Sequence, residues 1–255
     1  VPVGIVNWSV TQPARDVRGY LVTDRFERRF ASVVDVENIG VIWPREAVPA
    51  AVTAASEARR RAQASAPTAP DSVSQLVVSP CAADQAHEQI AAALDARDRS
   101  RFQAVRYECL DAAGHYFLRY AAPGAFGDVS DDELRRYGGV LAAHYAEADR
   151  MLGRVMAAVR PGDLLLVVSG FGMEPMSVGK RLLERFVGNP EPSGTHEPAP
   201  DGFLFAFGTE VRPGRLTRGS VVDLDTALRR VAGGVLARLT LAKSRILLAW
   251  GRRQV

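Results

Sequence analysis

The chain has 255 residues, of which 47% are apolar, enough to bury the core of one large α/β domain or two small ones. Its formal net charge is only +3, so a sequence pI near 9.1 reflects a small arginine excess and excludes the footprint of a nucleic-acid polymer surface. Lysine occurs only at Lys180 and Lys243, and alanine is abundant beside the arginines, a pattern of genomic composition bias rather than of phosphate recognition. Cys81 and Cys109 are too few for a disulfide framework and lack CxxC spacing.

The chain opens on Val1-Pro-Val-Gly-Ile-Val-Asn-Trp8, which reads as a buried first strand over 3–8 rather than a signal peptide. Beginning on a core strand leads us to expect that the amino-terminal part of the fold lies elsewhere. A loop at 11–16 leads to a second short strand over 19–23, and the charged stretch from Asp24 to Phe30 is expected on the surface. Trp43-Pro44 marks a turn before a helix over about 46–61. Residues 62–80, rich in Ala, Ser and Pro, are expected to be a mobile connection. A helix over 84–96 and a strand over 102–110 follow.

Ser130-Asp-Asp-Glu133 is a capping box that starts the longest helix, predicted to run to about 160. Leu134, Tyr137, Leu141, Tyr145, Ala148, Leu152, Val155 and Val159 repeat at three and four and form its buried stripe. His144 lies beside that stripe. Pro161-Gly162 and Gly170 bound the continuous apolar run 164–168, predicted to be a parallel strand buried on both faces. Residues 203–207 form another strand, and 223–241 have a helical pattern. The late apolar stretch 231–250 carries Arg238, Lys243 and Arg245, so no membrane span is expected. Strand–helix alternation predicts a single α/β domain over 1–255, a mostly parallel sheet with helices on both faces.

Three residues stand out for chemistry. Asp111-Ala-Ala-Gly-His115 follows a predicted strand, and Ser193-Gly-Thr-His196-Glu-Pro-Ala-Pro-Asp201-Gly precedes another. In open α/β sheets ligands bind beyond the carboxyl ends of the strands. Two imidazoles and one carboxylate are a standard ligand set for a catalytic divalent metal with a fourth position open to water. A lone D-x3-H spacing also arises by chance, and a loop histidine is often simply solvated.

These motifs, with Val167-Val-Ser-Gly-Phe-Gly172, Gly4-Ile-Val-Asn-Trp8, Val22-Thr-Asp-Arg-Phe26 and Gly127-Asp-Val-Ser-Asp-Asp-Glu-Leu134, resemble the alkaline phosphatase superfamily. The branch they resemble is the type I phosphodiesterase/nucleotide pyrophosphatase group, over about residues 1–228. The resemblance implies an alkaline-phosphatase-like fold and a hydrolase of phosphate esters. In that family two divalent ions, usually zinc, flank the phosphoryl group while a threonine or serine attacks. One ion is held by the D-x3-H pair and a later G-T-H histidine, which carry over to Asp111, His115 and His196.

The departures are as specific as the matches. Where the family has an Asp-His pair at the strand end, this chain has Gly170-Phe171. The family's nucleophile and first aspartate lie upstream of its counterpart of Val1, and the tail over 229–255 leaves the family pattern. The resemblance therefore implies one zinc or other divalent site at most. It implies a phosphodiesterase relative with little or no activity of its own, whose expected partner is a small phosphate ester. A one-zinc hydrolase using Asp111, His115 and His196 and a non-catalytic binding protein are the alternatives.

Overall fold

The structure, a computed structural model, describes residues 1–26, 40–65, 71–188, 192–209 and 211–214. The expected helix over 223–241 and the divergent tail over 229–255 lie outside the described residues.

The central sheet has four strands in the order β3-β2-β1-β4: β1 Val3–Trp8, β2 Gly19–Thr23, β3 Ile42–Trp43 and β4 Phe102–Val105. β1 pairs in parallel with both β2 and β4, and only the short β3 is antiparallel, so the sheet is mostly parallel. Two helices pack on one of its faces, α1 (Val48–Ser65) and α2 (Ser72–Arg97). Ala51, Ala55 and Ala58 of α1 and Ala86, Ile90 and Leu94 of α2 enclose Val6, Tyr20, Val22 and Val105 in one buried cluster. The small alanines let the helices approach closely. On the sheet itself Gly4 has the same role, because a Cβ there would stand 2.4 Å from the Tyr20 ring. The space it leaves admits the Tyr20 hydroxyl, which accepts from Gln103 Nε2 at 2.7 Å and donates to the Ala91 carbonyl at 3.3 Å.

Several expectations change. The connection expected over 62–80 is helical over 62–65 and 72–80, with 66–70 outside the described residues. Asp71 caps α2 by accepting from Ser74 N–H at 2.8 Å, and Val77 is buried against Phe117 and Tyr137, so the helix persists through Pro80. The strand expected over 102–110 ends at Val105, and α3 (Cys109–Ala121) takes its second half. Phe26, expected on the surface, is fully buried. The helix expected over 131–160 divides into α4 (Asp131–Tyr137) and α5 (Val140–Ala158). The Ser130–Glu133 capping box does start α4. The break falls at Gly138-Gly139, where a Cβ on Gly138 would stand 2.6 Å from the Leu134 carbonyl oxygen. Consequently the stripe is not one core seam: Tyr137 is buried, Leu152, Val155 and Val159 are half-buried on the main core, and Tyr145 is 61% exposed.

The apolar run expected as a central parallel strand is β5 (Leu165–Phe171), which pairs antiparallel with β8 (Asp201–Phe207) in a separate two-stranded sheet. A parallel return needs a crossover element packed along the sheet. Between β5 and β8 the described chain holds only a short hairpin, β6 (Glu174–Pro175) with β7 (Gly194–Thr195), and α6 (Val178–Phe186), which buries no residue. β5 is nonetheless anchored. Leu165 joins the main core, and Leu166 and Val168 pack with Trp8, Phe102 and Leu164. Among the described residues no helix is long and apolar enough to cross a membrane.

Candidate metal centre

Helix α3 supplies two of the three expected ligands. It starts at Cys109 because the Asp84 carboxyl group accepts the free N–H groups of Glu108, at 2.8 and 3.0 Å, and of Cys109, at 2.7 Å, the office of a helix cap performed from a neighbouring helix. Asp111 therefore lies in the first helical turn and His115 one turn on, so both side chains leave the same face.

His196 arrives from the β6–β7 hairpin. Pairing of Glu174 with Thr195 and of Pro175 with Gly194 lays 193–196 beside α3. Ser193, almost fully buried, fastens it: its N–H and its hydroxyl both donate to the His115 carbonyl, at 2.6 and 3.1 Å. Gly194 is required at the crossing, because a Cβ would stand 2.6 Å from the Gly114 carbonyl oxygen.

The result is a tight cluster. Asp111 Oδ1 lies 2.8 Å from His196 Nε2 and 3.8 Å from His115 Nε2, and the ligand atoms of all three residues lie within 4.8 Å of one another. The imidazoles meet edge to face with centroids 4.9 Å apart. Each is held from behind: His115 Nδ1 donates to the Gly194 carbonyl at 2.8 Å and His196 Nδ1 to the Gly172 carbonyl at 2.7 Å. A carbonyl oxygen only accepts, so both Nδ1 atoms carry hydrogen, and a neutral ring then presents the Nε2 lone pair toward Asp111. Two lone-pair atoms 2.8 Å apart repel unless a positive species stands there, either a second imidazole proton or a metal ion. The side chains are 12–27% exposed, which leaves room for a water or substrate oxygen. Carbonyl-anchored imidazoles with a carboxylate could hold a divalent ion.

The next residues along β5 contribute no ligand. Gly170 has no side chain, and the Phe171 ring packs against His196 in a tilted contact, centroids 4.8 Å apart and planes at 57°. Ser169, the hydroxyl at this strand end, donates to the Phe171 carbonyl at 3.0 Å.

A second group of donors has no counterpart in the sequence reading. Cys81 on α2 and Cys109 at the start of α3 are joined as a disulfide, where composition suggested no disulfide framework. His144 on α5, treated above only as a neighbour of the apolar stripe, places Nδ1 3.5 Å from each sulfur. Burial holds its imidazole below the ordinary histidine range. Twenty-eight residues separate the cysteines and 35 separate Cys109 from His144, so no short motif could have announced the group.

Comparison with curated proteins gave no match, and comparison with solved structures gave none. The family model described as type I phosphodiesterase / nucleotide pyrophosphatase, by contrast, matches residues 4–229, nearly the whole chain and every element that builds the cluster, and the chain belongs to that family.

Proposed function

We propose that this chain binds one divalent cation, zinc by its donor set, through Asp111, His115 and His196, and uses it to hold a small phosphate ester rather than a nucleic-acid polymer. The two-metal hydrolysis of the family does not run at this site. The observation that carries the reading is the pair of Nδ1–carbonyl hydrogen bonds, which aim both Nε2 atoms at the Asp111 carboxylate. A mixed nitrogen and oxygen set with one open position suits zinc better than magnesium or calcium, which favour all-oxygen shells.

A bound zinc ion supplies Lewis acidity toward a phosphoryl oxygen and acidifies a bound water. The protein's own residues supply the rest of the site. Asp111 contributes the single negative charge, leaving a net positive centre that attracts a phosphate monoanion. Gly194 and Gly172 carbonyls hold the two rings in register, and Phe171 closes the side of His196 with apolar surface. At the β5 end Gly170 and Phe171 offer no coordinating atom, and a cation buried against an aromatic ring without oxygen or nitrogen ligands is strongly disfavoured. A second ion there would therefore lack two of its ligands.

The test is zinc titration by calorimetry on the disulfide-bonded chain, with His196→Ala and Asp111→Asn beside it, followed by hydrolysis of a bis-nitrophenyl phosphodiester. One equivalent of zinc in the parent, lost in both variants, with little turnover, is the expected result. Absence of zinc binding by the parent would refute the centre. A robust zinc-dependent rate abolished by His196→Ala would replace the binding reading with a one-zinc hydrolase.

A further inference from the structure

We propose that Cys81, Cys109 and His144 form a second metal site, of two thiolates and one imidazole, which is available only when their disulfide is reduced. The proposal stands apart from the Asp111 centre and does not depend on it. Three helices, α2, α3 and α5, each contribute one donor, and the three ligand atoms lie within 4.8 Å of one another. His144 Nδ1 is equidistant from the two sulfurs, at 3.5 Å from each. Weak hydrogen bonds to a disulfide, whose sulfurs are poor acceptors, give little reason for that placement. A shared ion gives one, because a tetrahedral centre requires its ligands at similar distances around one point. All three residues are half-buried, which shields a bound ion while leaving one position for water.

A water-soluble phosphine delivers two electrons to the S–S bond, which breaks. One water gives its two hydrogens to the sulfurs and its oxygen to phosphorus, forming two thiols and a phosphine oxide. On metal binding the two thiol protons pass to solvent, and the two thiolates neutralise the charge of a divalent ion while imidazole donates a lone pair. Rotation about the Cα–Cβ bonds parts the sulfurs to about 3.8 Å, the separation of two ligands at roughly 2.3 Å around a tetrahedral centre. Thiolates select thiophilic ions such as zinc, cadmium and cuprous copper, and a mixed sulfur–nitrogen set excludes magnesium and calcium. The two sites thus differ in kind: nitrogen and oxygen at Asp111, sulfur and nitrogen here.

Cobalt(II) distinguishes them, because only thiolate ligation produces near-ultraviolet sulfur-to-cobalt charge-transfer absorption. The full chain, either oxidised or reduced with a phosphine that is then removed, is titrated with cobalt, and zinc is added afterward to displace it. The expected result is a charge-transfer band in the reduced chain alone, bleached by zinc. His196→Ala, which removes the other centre, keeps the band, so the two proposals fail separately. His144→Ala weakens cobalt binding by more than the roughly 10–100-fold seen when only an outer-shell partner is removed. Circular dichroism of each variant establishes that it is folded. A reduced, folded parent without the band overturns the proposal, as does a band of unchanged affinity in His144→Ala.

Discussion

Asp84 and His87 lie one turn apart on α2, 5% and 2% exposed, and burial moves them in opposite directions. The Asp84 carboxyl is pushed up to about 7 by desolvation, against the opposing pull of the Cys109 and Glu108 N–H groups. The His87 imidazole is pushed down to about 3 by desolvation, assisted by the Arg106 cation. Between about pH 4 and 6.5 the folded protein therefore keeps Asp84 protonated and His87 neutral, whereas the unfolded chain has the aspartate ionised and the histidine protonated. Each state binds one proton at this pair, so their contributions to the pH dependence of stability cancel. Single substitutions remove the cancellation. In Asp84→Asn the unfolded state binds the extra proton, through His87, and stability rises with pH relative to the parent at about 1.4 kcal/mol per unit. In His87→Leu the folded state binds the extra proton, through Asp84, and stability falls with pH at about the same rate. Across the window the two variants diverge from the parent by roughly 3 kcal/mol each, in opposite senses. Urea unfolding of the three proteins at half-unit steps from pH 4.5 to 6.5 measures the slopes. Variants that track the parent, or that tilt the same way, would show that the two buried groups do not hold these protonation states.

Three further outcomes are expected. Asp71→Ala removes both the α2 cap and the acceptor of the Tyr137 hydroxyl, at 2.8 and 2.9 Å, and lowers stability by about 1–2 kcal/mol in thermal or urea unfolding. The Ser74 N–H holds this carboxyl below the usual aspartate range, so the parent loses this advantage only as pH falls through that lowered value. Gly194→Ala forces the new Cβ against the Gly114 carbonyl and shifts the oxygen that orients His115; zinc affinity measured by calorimetry should drop by about 10–100-fold. Saturating zinc at about 100 times its dissociation constant should stabilise the chain by roughly 2.7 kcal/mol, a rise in melting temperature that a chelator abolishes.

Much of this protein was legible in its local sequence. The short apolar runs at Val3–Trp8 and Gly19–Thr23, bounded by turn residues, have the length and composition of strands and form them. Ser130 and Glu133 carry their cap in four consecutive positions. The spacing of Asp111 and His115 suffices to put two donors on one helical face once a helix is there. Family membership, too, was written in the order of the motifs, and the family model spans them.

What the tertiary structure decided was everything that depends on a partner distant in the chain. Residues 106–110 are not strand because Asp84, 24 residues upstream, supplies the acceptors that start α3. Residues 164–168 look like a parallel core strand because burial alone makes them apolar, and burial does not record direction; β8 returns antiparallel, and among the described residues no packed crossover separates the two. Neither sulfur announces His144, and nothing near His196 announces Gly172, whose carbonyl turns its ring toward an aspartate 85 residues away. Periodicity and caps are short-range physics and are read from neighbours; the aim of a donor atom is set by hydrogen bonds that exist only after the chain has folded back on itself.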